Sequence, residues 1–290
     1  MNVNFVYPPR PARRGRVIAL HCSGSGAGQW RYLSEAFGGR YQLFAPEHYG
    51  CESAGASSGD HAFTLADEAT RTIGLIDRID GKVHLVGHSY GGGVALHVAL
   101  ARRERIASLT LYEPSAFYLL RQLDEAGDAF SEISGIARRI GHGVVIGDYR
   151  GAIVAFVDYW NGAGAFAALR PSLQDALVRW APKAPLDFRA LIDEPTPASA
   201  YASLELPTLI MRGEHAPLPT RVIAERLSEL LPASKIVTVE GAGHMGPMTH
   251  APEVSALIVR HVESVDEASE RTTARRQIAS SAVPLAEAAS

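Results

Sequence analysis

The chain has 290 residues, of which 47% are hydrophobic and 20% are charged, and its net charge is −3. This balance excludes an intrinsically disordered protein, which combines low hydrophobicity with high net charge. The slight negative charge offers no basic field for a nucleic acid, and no apolar run reaches the roughly 18 residues of a membrane helix. We therefore expect a globular protein that binds neither nucleic acids nor membranes.

The N-terminal segment and the cysteines indicate the same cellular compartment. Met1–Arg16 lacks a long apolar stretch leading to a small-residue cleavage site, so we expect no secretory signal. Two cysteines, Cys22 and Cys51, are too few for a disulfide framework, and no Cys/His spacing indicates a zinc site. We expect a reducing, cytoplasmic setting and no metal or organic cofactor. The sequence leaves the oligomeric state open, a homodimer included.

Short apolar runs alternate with helical patterns along the chain. The runs are bounded by Gly or Pro and are not alternating, which is typical of strands buried on both faces. Thr64 and Asp67 form a capping box that predicts the start of a helix. This alternation predicts a parallel sheet covered by helices on both faces. The expected strands are residues 16–21, 82–87, 108–112, 207–211 and 235–239, and further helices are expected at 94–102, 221–231 and 253–262.

One long segment interrupts the alternation. Between Glu113 and Pro207 there is no convincing strand run, and this segment holds about half of the aromatic residues. We interpret it as a helical insertion over 115–205 in a core formed by 1–114 and 206–263; the alternative is an ordinary second helical layer. Residues 264–290, rich in Ala, Ser, Glu and Arg, are expected to form a flexible tail.

The strongest chemical signal is the hexapeptide Gly87–Gly92. It contains G-x-S-x-G around Ser89, directly after an apolar run and before a helical pattern. A serine on so sharp a turn needs neighbours with almost no side chain. Ser89 is therefore predicted to be a nucleophile; the alternative is a glycine-rich turn that only packs a helix on a strand.

A serine nucleophile needs a base. His244 follows the last expected strand in a loop of small residues, Gly241–Pro247, and the order serine first, histidine last fits this arrangement. A structural histidine is the alternative for His244, and His250 is a weaker candidate for the base.

The glycine-rich loop His21–Gly28 follows the first expected strand. Its glycines allow a backbone N–H to face a developing oxyanion. We assign this role to Ser23, together with the N–H of Tyr90 at the start of the helix after Ser89. The glycine spacing fits no dinucleotide or phosphate loop, and no P-loop lysine follows.

With these motifs the chain resembles the α/β-hydrolase superfamily over roughly residues 15–263, most of all its capped, small-molecule hydrolases. The resemblance implies an α/β fold with an eight-stranded, mostly parallel central sheet, flanked by helices and carrying a helical cap inserted after the strand that ends at Glu113. Because about 15 residues precede the first expected strand, the usual N-terminal hairpin is expected to be short.

One position departs from the family. The aspartate of the family's G-x-x-D pattern after the cap is replaced by Ala216 in Gly213–Pro217, and a methyl group cannot orient an imidazole. Glu113, at the end of the strand before the cap, is our preferred triad acid, as in a group of haloalkane dehalogenases that this arrangement resembles. Glu214 and the absence of any direct acid are the alternatives.

The nucleophile narrows the chemistry. A serine forms an acyl-enzyme, so the sequence favours a serine hydrolase of a small, mostly apolar carboxylic ester, lactone or thioester. Trp160 and Met245 are expected to contact the substrate. Carbon–carbon bond hydrolysis or acyl transfer with the same triad is an alternative, and a ligand-binding protein that retained the fold is a second, favoured only by Ala216.

Overall fold

A computed structural model describes residues 14–51, 55, 62–123 and 127–281, the side chains of 276 and 278–281 excepted. Within this part of the chain, six parallel strands form one sheet with the order β2-β1-β3-β4-β5-β6. The strands are β1 (Gly15–Leu20), β2 (Tyr41–Phe44), β3 (Val83–His88), β4 (Ile106–Tyr112), β5 (Thr208–Gly213) and β6 (Ser234–Val239).

The predicted α/β fold with a mostly parallel sheet is confirmed, with two differences from the expected strands. The described residues contain six strands rather than the eight that the resemblance implied, and residues 1–13, where the short hairpin and the N-terminal signal were considered, lie outside them. The strand β2 was missed in the sequence, because its four residues, Tyr41–Phe44, are too few to show a period.

Helices cover both faces of the sheet, as the unalternated strands predicted. The core helices are α1 (Arg31–Ala36), α2 (Leu65–Ile76), α3 (Tyr90–Ala101), α10 (Leu218–Leu230), α11 (Gly246–Thr249) and α12 (Ala251–Ser281). Alternate strand residues enter two separate apolar clusters: Ile18 and Leu20 pack with α2, α3 and α10, whereas Val17 and Ala19 pack with α1 and α12. The capping box at Thr64 begins α2 as predicted.

The segment between β4 and β5 is helical throughout most of its described length and packs onto the first of these clusters. Its helices are α4 (Phe117–Leu120), α5 (Gly127–Val145), α6 (Tyr149–Asn161), α7 (Ala165–Ala168), α8 (Pro171–Trp180) and α9 (Ala184–Ile192). We call this segment the cap. Among the described residues, no helix is both long and apolar enough to cross a membrane.

The expectation of a flexible tail from Ser264 was wrong at its beginning. Helix α12 continues to Ser281, and residues 282–290 lie outside the described part. The reason is a polar contact with the sheet: Asp266 accepts a hydrogen bond from the Tyr41 hydroxyl at 2.8 Å and lies 3.1 Å from Nε2 of His84. The Ala- and Glu-rich segment after Ser264 is therefore helical as far as Ser281, and Asp266 attaches its first turn to the sheet.

This carboxylate predicts a pH-dependent stability. Burial alone raises the pKa of Asp266, but the hydrogen bonds with His84 and Tyr41 and the charges of His84 and Arg14 together outweigh it and hold the pKa below its ordinary value. A depressed pKa means that the carboxylate stabilises the fold above its unfolded pKa and that this contribution is lost as the pH falls through the folded value.

Asp266→Asn should therefore lower the free energy of unfolding by about 1 kcal/mol at neutral pH. The difference from wild type should shrink below roughly pH 4, as measured by urea unfolding at a series of pH values. Glu267→Gln is the matched control, because Glu267 is exposed and its ion pair with Arg271 lies on the helix surface. A difference that stays constant down to pH 2.5 would contradict the assignment.

Candidate active site

The sheet places the ends of four strands around one point. Because all strands are parallel, the loops after β1, β3, β4 and β6 leave from the same edge, where ligands of open α/β sheets bind. These loops carry Ser23, Ser89, Glu113 and His244. Residues far apart in the chain are thus brought together by strand order alone.

The turn at Ser89 has an unusual backbone. Ser89 has φ 54° and ψ −119°, a conformation that costs a non-glycine residue about 1–3 kcal/mol. A Cβ at Gly87 would lie 2.5 Å from the Gly91 carbonyl oxygen, and one at Gly91 would lie 2.4 Å from the Leu20 carbonyl oxygen. The two glycines are therefore required by close backbone packing, and they allow the serine to project at the start of α3.

Three buried side chains form a continuous hydrogen-bonded chain. Ser89 Oγ lies 2.9 Å from Nε2 of His244, and Nδ1 of His244 lies 2.7 Å from Oε2 of Glu113. All three residues are at most 6% exposed. This is the geometry in which an imidazole can take a proton from a hydroxyl while a carboxylate stabilises the resulting cation.

Glu113 is held on both carboxylate oxygens. The Gly213 N–H donates to Oε1 at 2.9 Å, and the Thr220 hydroxyl donates to Oε2 at 2.8 Å. Glu113 itself has φ 41°, a second strained residue that turns the carboxylate toward His244. Glu214, the alternative acid, instead accepts a hydrogen bond from the Gly241 N–H. The carboxylate beside His244 therefore belongs to Glu113, directly after β4.

Two further residues, which the sequence analysis did not single out, contact the hydrogen-bonded side chains of Ser89 and His244. The Ser115 hydroxyl lies 3.1 Å from that of Ser89. His88 is fully buried, and its Nε2 lies 2.8 Å from the carbonyl oxygen of His244. Burial and the nearby ring of His244 lower the pKa of His88 well below its ordinary value, so it is neutral and donates that hydrogen bond.

His88 also connects the histidine loop to the loop after β1. Its Nδ1 lies 3.1 Å from Nε2 of Gln29, and Oε1 of the same amide accepts the Cys22 N–H at 3.1 Å. With Nε2 protonated, Nδ1 of His88 is the acceptor and the amide orientation is fixed. The position directly before Ser89 thus serves as a spacer between the two loops, a role that no spacing in the sequence indicates.

The loop after β1 lies beside Ser89. Ser23 and Tyr90 both line the same cavity as Ser89 and His244. In the part of the chain that the structure describes, no protein acceptor takes the backbone N–H of either residue. Their role as donors to an oxyanion stays a prediction. Cys22 and Cys51 are free thiols.

The cavity has a volume of about 910 Å³ and is mainly apolar. The ring of Trp160 stacks on that of His244, with 4.0 Å between the ring centres and 26° between the ring planes. Trp160 is 8% exposed and also contacts Tyr159 within the cap, so the same side chain lines the cavity and packs inside the cap. Met245 also lines the cavity, whereas His250 forms a hydrogen bond with Thr249. The apolar lining comes mainly from the cap: Phe117, Phe156, Val157, Leu169, Leu173, Leu177, Phe188 and Leu191.

Comparison with known proteins agrees with this architecture. The chain is 23% identical over 241 residues to the pimeloyl-[acyl-carrier protein] methyl ester esterase of Nitrosomonas europaea, covering 82% of this chain and 91% of that protein. It is 31% identical over 106 residues to the lipase LipV of Mycobacterium tuberculosis, covering 36% and 39%. The structure of MenH from S. aureus superposes with a TM-score of 0.68 and 21% identity, covering 89% of this chain and 97% of that one.

The extent of these matches differs. The chain spans only 12–39% of the length of the first curated relatives that it matches, so their activities do not transfer as established properties. The family model is different, because the alpha/beta hydrolase family matches residues 17–257. This match covers most of the chain, and the described residues form a parallel sheet flanked by helices. The protein therefore belongs to the alpha/beta hydrolase family.

Proposed function

We propose that the protein is a serine hydrolase that cleaves small, mostly apolar carboxylic esters through an acyl-enzyme on Ser89. The observation that carries this proposal is the hydrogen-bonded chain from Ser89 through His244 to Glu113 at the floor of an apolar cavity. Hydrolase and esterase relatives in the same family support it.

The reaction follows from the positions of the groups. Ser89 Oγ attacks the ester carbonyl carbon, and its proton moves to Nε2 of His244. The negative oxygen is bound by the N–H groups of Ser23 and Tyr90. The carbon–oxygen bond of the ester then breaks, and His244 returns the proton to the leaving alcohol. Water repeats the cycle on the acyl-enzyme and releases the acid.

Glu113 supports the proposal over the ligand-binding alternative. That alternative depended on the missing acid at Ala216, and a carboxylate 2.7 Å from Nδ1 of His244 removes the reason for it. Trp160 is positioned to contact the substrate and to exclude water from the imidazole, because its ring covers that of His244. Met245, which also lines the cavity, is assigned to substrate contact as well.

Covalent labelling tests the nucleophile. A fluorophosphonate should label the wild-type chain rapidly and stoichiometrically, with the modification on Ser89 by mass spectrometry, and Ser89→Ala should not be labelled. Ser115→Ala is the matched control, because its hydroxyl lies next to that of Ser89; this variant should still be labelled at Ser89. A wild-type chain that remains unlabelled would falsify the proposal.

Paired substitutions test the acid. Glu113→Gln should reduce kcat/KM for a p-nitrophenyl ester by about 10⁴-fold, because the amide can no longer stabilise the imidazolium. Glu214→Gln, at the alternative acid, should change it less than twofold. The reverse ranking of the two variants would show that the acid is assigned to the wrong residue.

The cavity predicts a chain-length preference. About 910 Å³ of mainly apolar space above Ser89 should favour medium acyl chains over acetate, since each additional buried methylene contributes about 0.8 kcal/mol. In a series of p-nitrophenyl esters, kcat/KM should therefore rise from two to about six carbons. Esters with a carboxylate at the far end of the chain should react more slowly than neutral esters of equal length.

A further inference from the structure

A lysine of the cap is buried beside the loops that carry Ser23 and Tyr90. Lys183 ends a short 3₁₀ helix before α9 and is only 8% exposed. Its ammonium lies 3.0 Å from Oε2 of Glu68, on core helix α2, and forms a hydrogen bond with Oδ1 of Asp187, on cap helix α9. One cation thus bridges a core carboxylate and a cap carboxylate.

Each carboxylate is in turn bound by one residue of the proposed oxyanion hole. The Ser23 hydroxyl donates to Oδ2 of Asp187 at 2.5 Å. The Tyr90 hydroxyl donates to Oε2 of Glu68 at 2.7 Å. The two residues whose backbone N–H groups face the substrate oxygen are therefore connected, through their side chains, to the same ammonium group.

We propose that Lys183 is a positioning residue that sets the oxyanion hole. By bridging Glu68 and Asp187, it fixes the separation of the N–H groups of Ser23 and Tyr90, and it makes that separation depend on the docked position of the cap. This inference rests on the proposed function, because it assigns a role in the same reaction.

The packing around Lys183 holds it in one place. Its aliphatic stem crosses Gly50, where an added Cβ would come within 3.0 Å of the lysine Cγ. Its ammonium also lies 4.5 Å from the ring centre of Phe63 and 5.0 Å from that of Tyr90, within the range of cation–π contacts. An ammonium group surrounded by two rings and two carboxylates can hold both carboxylates in fixed positions.

The cap also presses on the loop that the lysine network restrains. Gly24, next to Ser23, has φ +68°, and a Cβ there would lie 3.1 Å from Leu177 on cap helix α8. The loop therefore packs against α8 and is hydrogen-bonded to Asp187 through Ser23. Such restraint matters because oxyanion donors act through a fixed geometry that needs no reorganisation during the reaction.

The charges in this network do not simply cancel. Lys183 faces two carboxylates, and Nδ1 of His48 lies 3.4 Å from Oε1 of Glu68. Burial raises the pKa of Asp187 even though Lys183 opposes this. Burial would also raise that of Glu68, but His48 and Lys183 hold it well below its ordinary value. Buried ion pairs contribute little net stability, so a role in positioning accounts for the network better than a role in stability.

The test compares three variants with the wild type and a control. Lys183→Met removes the bridge, Ser23→Ala removes only one hydroxyl and keeps the backbone N–H, and the double variant combines them. Lys235→Met is the control, because Lys235 is an exposed lysine on the edge strand β6. Active sites are counted by fluorophosphonate titration, so that misfolded protein does not enter kcat.

Positioning predicts a specific pattern. Lys183→Met should lower kcat per titrated site about 100-fold, at the low end of the loss seen when an oxyanion donor is removed, with KM within twofold of wild type. Ser23→Ala should lower kcat about tenfold. The double variant should be no slower than Lys183→Met, because Ser23 acts through an Asp187 that is no longer held.

A second readout reports on the oxyanion hole itself. Ser89 adds to the carbonyl carbon of a trifluoromethyl ketone and His244 takes its proton, which leaves a tetrahedral adduct with a negative oxygen. Inhibition constants for such a ketone should rise in proportion to the loss of kcat/KM across the variants. If Lys183→Met does not fold, Ser23→Ala and Tyr90→Phe, each lacking one hydroxyl, provide the same comparison.

The outcomes separate the two proposals. If Lys183→Met only reduces the number of titrated sites, with kcat per site and ketone affinity unchanged, the positioning role is overturned. Lys183 would then have a purely structural role. A wild-type chain that neither hydrolyses esters nor reacts with fluorophosphonate would overturn the proposed function and, with it, this inference. Reduced kcat at constant KM with parallel loss of ketone affinity would support both.

Discussion

The site depends on one constraint, the left-handed backbone at Ser89. That conformation exists because Gly87 and Gly91 let the turn pack within backbone contact of the end of β1. The same contact brings the loop after β1, with Ser23, beside the first turn of α3, with Tyr90. A serine on an unstrained strand or helix would lie in the plane of the sheet or within the helix, out of reach of His244.

Glu113 shows how the same fold can place a carboxylate beside the histidine from a different strand end. The strands β4 and β5 are adjacent and parallel, so side chains after either strand reach the same imidazole. In this chain β5 provides the Gly213 N–H, and α10 provides the Thr220 hydroxyl, as donors to a carboxylate that comes from β4. The positive φ of Glu113 is the local consequence, because the strand must turn sharply to present the carboxylate and then enter the cap.

The cap and the core are connected by polar as well as apolar contacts. Most of the cavity lining is hydrophobic, which suits a neutral acyl group. The buried cluster of Lys183, Glu68 and Asp187 is different, because charged groups are rarely buried unless each has a partner. Its members come from α2 and from the cap, and they bind the side chains of Ser23 and Tyr90. The proposed positioning role would link the place of the cap to the geometry of the oxyanion hole.

The sequence by itself determined the family, the parallel sheet with helices on both faces, and the candidate nucleophile and base. These follow from local patterns: apolar runs bounded by Gly or Pro, the glycines around Ser89, and the small residues around His244. The capping box at Thr64 was predictable for the same reason, since both of its residues lie within one helical turn. The strand β2 and the helical continuation of α12 were not, because one is too short for a period and the other is held by Asp266, whose partners Tyr41 and His84 are distant in sequence.

The tertiary structure decided what depends on contacts between distant elements. Glu113, Glu214 and the absence of an acid were all open in the sequence, and only the hydrogen bonds in the folded protein separate them: Glu113 contacts Nδ1 of His244, whereas Glu214 accepts from the Gly241 N–H. The roles of His88 as a spacer and of Lys183 as a bridge have no sequence signature, because their partners lie on other strands and helices. A motif specifies which groups a turn can present, but only the packing of the sheet and the cap specifies which of those groups meet.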